Sequence, residues 1–163
     1  PSETPMPYGV NVIPVETAGR MAAAVKANAP SADIIIGAAA VADYRVENAA
    51  ATKIKRQGGP LVLTLVENAD ILAEAGRTKS EGQIIVGFAA ETEDFLNNAQ
   101  AKLEKKKLDL IVANIVGDAQ SDFGKETIKA ALIPASGDIQ QLPLLTKEEL
   151  AEKIFDQIPS LQK

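Results

Sequence analysis

The sequence predicts an α/β fold, a mainly parallel sheet with helices on both faces and a C-terminal hairpin plus helix. Three observations carry this. Short, continuously apolar runs such as Ile34-Ile-Ile36, Ile84-Ile-Val86 and Leu110-Ile-Val112 alternate with stretches of helical character, and strands without polar alternation are buried on both faces of a parallel sheet. A turn-like Ala135-Ser-Gly-Asp138 separates the last two strand-like runs, which suits a hairpin. Thr146-Lys-Glu-Glu149 then gives a capping-box start for a final helix. The pattern is Rossmann-like, and the 163 residues suit one domain over 1–163 with a sizeable core.

The elements follow in order. Residues 10–15 form a short apolar run. Thr17 caps an Ala-rich helix that stops near Asn28-Ala-Pro30, because proline denies the helix its next donor. Residues 33–41 are expected as a buried strand, 43–60 as an irregular polar segment, 61–66 as a second strand and 70–78 as a short helix. A third strand spans 83–89, a helix 93–108 and a fourth strand 109–113. Strands at 128–134 and 139–144 flank the hairpin loop, and the last helix runs to Ile158.

Composition narrows the chemistry. Aromatics make up 4% of the chain, so the core is aliphatic, and the net charge is −5. A surface of that sign does not attract nucleic acid or anionic membrane. Any anion must be met by a local group of cations. The chain has no cysteine and no histidine, which excludes disulfides, thiol nucleophiles, Ser-His-Asp chemistry and His or Cys metal sites. No apolar run approaches the roughly 18 residues of a membrane span, and a cytoplasmic protein is expected.

In open parallel sheets ligands bind beyond the carboxyl ends of the strands. One candidate there is Gly37-Ala-Ala-Ala-Val-Ala-Asp-Tyr-Arg45. Its small residues let a ligand approach the backbone, with Asp43 at the mouth; tight helix-on-sheet packing and a solvated turn fit the same residues. Lys53-Ile-Lys-Arg56 is either a solvated basic loop or the cationic tip of a long binding loop. On the helix 93–108, Phe95, Leu96, Ala99 and Leu103 share one arc of roughly 100°. Lys102 and Lys106 fall near its Phe95 edge. Two ammonium groups beside an apolar seam either snorkel outward or meet an anionic ligand between helix and sheet. Asn114 and Ser121-Asp-Phe-Gly124 follow a strand end but have ordinary loop composition. No G-x-G-x-x-G follows a strand, which argues against a dinucleotide. A non-catalytic nucleotide-binding or dimerisation module is the alternative to an enzyme.

Ala39-Ala-Val-Ala-Asp-Tyr-Arg45, Lys53-Ile-Lys-Arg56, Gly87-Phe-Ala-Ala-Glu-Thr92 and Asp109-Leu-Ile-Val-Ala-Asn114, in this order and spacing, resemble the phosphopantothenoylcysteine synthetase domains of bacterial bifunctional coenzyme A biosynthesis flavoproteins. The resemblance implies a ligase in which CTP activates the carboxylate of 4′-phosphopantothenate. The acyl-cytidylate then passes its acyl group to the amine of cysteine and releases CMP. It further implies a requirement for Mg²⁺, a homodimer, and a fused FMN-dependent decarboxylase domain that these residues do not include. Lys53 would be the catalytic lysine on a mobile loop. Gly37, Ala38, Ala39, Asp43, Lys53, Ala69, Asp70, Ile71, Leu72, Phe88, Lys102 and Lys106 would form the nucleotide site. Asn68-Ala-Asp70 stands where the family usually has Asn-Pro-Asp, and Arg56 where it usually has lysine. The family's first βα unit, with its Gly-rich loop, has no counterpart in the chain.

Overall fold

The computed structural model describes residues 6–56, 58–91, 95–115 and 127–161. Helix α1 spans Ala18–Asn28 and ends in a 3₁₀ turn over Ala29–Ser31. Strand β1 is Ile34–Gly37, β2 Tyr44–Val46 and β3 Leu65–Glu67. Helix α2 covers Ile71–Thr78, β4 Ile84–Glu91, α3 Phe95–Lys106 and β5 Leu110–Ile115. The chain closes with β6 Thr127–Pro134, β7 Gln140–Thr146 and α4 Lys147–Leu161. The main sheet has five strands in the order β1-β4-β5-β6-β7. The pairs β1–β4 and β4–β5 are parallel, and β5–β6 and β6–β7 antiparallel. The expected α/β architecture is present, with the C-terminal hairpin extending the parallel core.

Period-2 alternation divides the strand residues between two apolar layers. Ile35, Ile85, Ile111 and Ile133 pack with Leu72 and Ala75 of α2 and Ala99 and Leu103 of α3. Their neighbours Ile84, Val86, Leu110, Val112 and Leu132 face Leu150, Ile154 and Ile158 of α4, three positions four apart on one helix face. Ile85, Leu110, Val86 and Val112 are completely buried, which explains why their runs show no polar alternation.

Local signals set the helix ends. The Thr17 hydroxyl accepts the Arg20 amide at 3.2 Å. The Thr146 hydroxyl accepts the Glu149 amide at 3.1 Å while the Thr146 amide donates to the Glu149 carboxylate at 2.7 Å, a complete capping box. Helix α4 continues three residues past Ile158, with Pro159 in its last turn. Opposite the carboxyl edge, Asp109 ties strands together. One carboxylate oxygen takes the Lys79 ammonium at 2.7 Å and the other the Ile85 amide at 2.8 Å.

Two strand assignments need correction. Strand β1 stops at Gly37, because Ala38 and Ala39 leave the ladder toward β2 and are exposed. Residues 61–66 do not form a strand of the main sheet. Leu61, Val62 and Leu63 stand 65%, 86% and 52% exposed, and Leu65–Glu67 pairs antiparallel with Tyr44–Val46 in a separate ribbon. The run 10–15 joins no ladder. An apolar run shows that a segment favours burial, yet whether a partner reaches it is decided elsewhere in the chain.

Candidate functional site

The carboxyl end of β1 lies beside the middle of β4, with Gly37 paired to Gly87. A Cβ on Gly37 would come within 2.7 Å of the Leu72 methyls, and one on Gly87 within 2.8 Å of a Leu108 methyl and 3.3 Å of a Leu72 methyl. The two glycines leave a bare patch into which Leu72 sinks, drawing the start of α2 onto the strand ends. For Gly37 this favours the packing role over direct approach of a ligand to its backbone.

A hollow of about 170 Å³ opens beside this patch. Gly37, Ala39 and Asp43 line it from the end of β1 and the chain after it, and Ala69, Asp70, Ile71 and Leu72 from the start of α2. Phe88 contributes from β4 and Lys106 from the end of α3. Nine of the residues expected at the site are thus gathered by four elements. Ala38 is exposed and Lys53 stands exposed on the irregular stretch between β2 and β3; neither is among the described lining residues. Lys102 is exposed on α3, one turn before Lys106, and likewise lies outside the lining. The segment 121–124 lies outside the described residues, as do the side chains of Phe95 and Leu96.

Two larger hollows exist. One of about 720 Å³ lies between α1 and α2 and shares Ala69, Asp70 and Ile71 with the site. The other, about 1030 Å³, is at the opposite edge near Lys79 and Gln157. Size does not select between them, and a part-buried cation, Lys79, also lines the second; position at the strand carboxyl ends selects the smaller hollow, which holds a half-buried cation of its own.

That cation is Lys106, whose ammonium sits 3.0 Å from the Asp70 carboxylate. The other oxygen of Asp70 accepts the Ala73 amide at 3.0 Å and caps α2. Partial burial pushes the Asp70 carboxyl upward. The Ala73 amide and the Lys106 ammonium, aided by Lys105, outweigh it and hold the group below the usual aspartate value. Asn68 was not singled out from the sequence, yet it binds the two site loops together. Its side-chain amide donates to the Ala42 carbonyl at 2.8 Å and its main-chain amide to the Asp43 carbonyl at 2.7 Å. Arg45 adds a bond to the Glu67 carbonyl at 2.6 Å. Position two residues before the capping aspartate was the available signal for Asn68.

Among the described residues no group of three or more acidic side chains gathers as a metal cage. Mg²⁺ seldom needs one, since it travels with phosphates and takes one or two carboxylates from the protein. Asp43, exposed at the rim, fits that limited role.

The family model for the DNA/pantothenate metabolism flavoprotein C-terminal domain matches residues 1–161. The chain belongs to that family. Among its relatives is the coenzyme A biosynthesis bifunctional protein CoaBC of Bacillus subtilis, 40% identical over 151 residues, covering 93% of this chain and 37% of the relative. A cysteine/cysteine sulfinic acid decarboxylase from an unknown prokaryotic organism is 41% identical over 157 residues, 96% of this chain and 44% of that protein. This flavoprotein C-terminal domain therefore spans less than half the length of these curated relatives. The crystal structure of the C-terminal domain of a CoaBC protein superposes with a TM-score of 0.78 at 34% identity, covering 97% of this chain and 69% of that one. The Streptococcus pneumoniae DNA/pantothenate metabolism flavoprotein shares the fold, with a TM-score of 0.75 at 18% identity. The kinship read from the four short motifs is borne out.

Proposed function

We propose that this domain carries the ligase half of coenzyme A biosynthesis, joining 4′-phosphopantothenate to cysteine at the expense of CTP. The observation that supports the reading is the grouping of Lys106, Asp70, Phe88 and Asp43 at the carboxyl edge of a parallel sheet, in a chain of this family.

The chemistry is electrostatic. In the first step a carboxylate oxygen of 4′-phosphopantothenate bonds to the α-phosphorus of CTP, and the bond to the pyrophosphate leaving group breaks. In the second, the cysteine amine bonds to the acyl carbon, CMP leaves with the electrons of the acyl–oxygen bond, and the amine gives up a proton. An anion attacking an anion needs charge neutralisation and in-line placement, with no nucleophile from the protein. That suits a chain without cysteine or histidine. Lys106 would meet a phosphate at the end of α3, and Phe88 offers an apolar face to the base. Lys102, one turn earlier, would extend the cationic line outward. Lys53 would be the catalytic cation. It is exposed on the stretch 47–64, whose base is pinned by the Glu47 amide donating to the Thr64 carbonyl at 2.9 Å. A long loop tethered at its root is suited to fold over a bound triphosphate. Mg²⁺ would supply further neutralisation of the phosphates, with Asp43 as its protein carboxylate. The hollow of about 170 Å³ is below the roughly 300 Å³ of typical small-molecule sites, so it accommodates part of a nucleotide, and the remainder would lie under that loop.

The remaining expectations belong to the same proposal: one domain over 1–163, a homodimer, and a flavin-bearing decarboxylase domain joined to it in the longer protein. No described helix is long and apolar enough to cross a membrane, and we place the protein in the cytoplasm. The decarboxylase name of one relative describes a protein more than twice the matched length and is not carried to this domain.

Calorimetric titration with CTP, ATP and NAD in the presence of Mg²⁺ tests the reading. Mg²⁺-dependent binding of CTP in preference to the others supports it. Preference for NAD would replace it with a dinucleotide module, and absence of nucleotide binding would leave an interaction domain.

A further inference from the structure

Gly76 is buried in α2 with no room for a side chain. A Cβ built there would overlap the carbonyl oxygen of Lys106, stand 3.0 Å from its carbonyl carbon and 3.2 Å from the carbonyl oxygen of Lys107. These are main-chain atoms, so no rotamer change clears them. Glycine inside a helix is disfavoured relative to alanine, and here close approach of two helices offsets that.

The end of α3 has little freedom to retreat. Lys107 adopts φ of 53°, the one positive value for a non-glycine among the described residues. The Leu108 amide donates to the Leu103 carbonyl at 3.0 Å, and the Lys107 amide to the Glu104 carbonyl at 3.2 Å. This is the paired bonding of a left-handed C-terminal cap, completed by an apolar contact across it. Leu103 and Leu108 are both in the core with Ala75 of α2. The last turn of α3 is wedged between its own buried leucines and the bare Cα of Gly76. From there Lys106, its last helical residue, sends its ammonium to Asp70 at the other end of α2, about 9 Å along the axis from Gly76.

We infer that α2 is the positioning element for Lys106, with Gly76 setting where its main chain lies and Asp70 setting where its ammonium points. The geometry stands by itself; the consequence for ligand binding rests on the nucleotide reading above. A lysine already held in place has less conformational freedom to lose when an anion arrives.

The test is the carboxyl ¹³C titration of Asp70 in the ligand-free chain. It is followed in the wild type, Lys106→Gln, Gly76→Ala and the double variant, beside CTP affinity with Mg²⁺. Lys106→Gln is expected to raise the Asp70 midpoint, because the neighbouring cation is gone. Gly76→Ala is expected to raise it too, by moving the ammonium away, and to add nothing in the Lys106→Gln background. A folded Gly76→Ala chain that melts earlier but titrates like wild type overturns the inference. So does an effect of equal size in both backgrounds.

Should Gly76→Ala not fold, Asp70→Asn decides. Asparagine keeps the cap on α2 and removes the charge, and the Lys106 side-chain NMR signals are expected to move to those of solvent-exposed lysines. Unchanged signals overturn the inference. On the ligand side, Gly76→Ala and Asp70→Asn are each expected to weaken CTP several-fold. If Lys106→Gln shifts Asp70 yet leaves CTP affinity intact, the nucleotide reading fails while the positioning survives. If it weakens CTP and Gly76→Ala alters neither quantity, the positioning alone fails.

Discussion

At the scale of single residues, Asp70 and Lys106 dominate. Asp70 serves as cap and counter-ion together, and its lowered carboxyl value has a definite sign for stability. The unfolded chain binds the proton more readily, so the contribution is complete above about pH 3.8 and is lost as pH falls through the lowered folded value. Asp70→Asn keeps the cap and should flatten the dependence of melting temperature on pH in that acid window. A slope equal to wild type would place the titrating group elsewhere. Lys106→Gln should weaken CTP roughly tenfold to a hundredfold, the effect of losing one charge-assisted bond of about 1.5–3 kcal/mol; calorimetry reads it directly. Lys53 is exposed and contributes little burial. Under the proposed function, Lys53→Gln should cripple turnover in the longer protein, and its exposure should leave the melting temperature within a degree or two. A large fall in melting temperature would mark it as structural.

At the scale of elements, the seating of α2 on the sheet depends on Gly37 and Gly87 being bare beneath Leu72. Gly37→Ala overpacks that contact and should cost about 1–3 kcal/mol. Leu72→Ala in the same chain should relieve part of the cost, which a urea double-mutant cycle would show as coupling. Thr146→Ala removes the capping box of α4 and should cost about 0.5–2 kcal/mol by the same assay. These elements also show what one sequence discloses. Thr17, Asp70 and Thr146 act within a single turn, so the helix starts are legible without knowing the rest of the fold. Leu61-Val-Leu63 reads as a buried strand because its side chains favour burial, but the ribbon that forms nearby depends on Tyr44–Val46, which lies in a polar segment. The hollow was legible where strand-end logic and family motifs coincide, as at Asp43 and Phe88, and where helix periodicity sets a cation beside an apolar seam, as at Lys106. Asn68 and Gly76 were not, since their importance lies in what faces them: the Ala42 carbonyl and the last turn of α3.

At the scale of the whole molecule, β1 is an edge strand of the main sheet among the described residues. Strand β1 pairs with β4 on one side, carries no charge in Ile34–Gly37 and leaves Ile36 39% exposed. An uncharged apolar edge is a template for another strand. Ile36→Lys should reduce concentration-dependent association in sedimentation velocity, and an unchanged profile would assign association to another surface. Helix α1 gives a second consequence. It has no buried residue, whereas β5 has four in succession, Leu110 through Ala113. Amide exchange should consequently run on two clocks. Deuterium should enter the later turns of α1 through brief detachments long before it reaches β5, so a protease sampling the native protein would find its first cut near the amino-terminal helix while the central strands stayed whole.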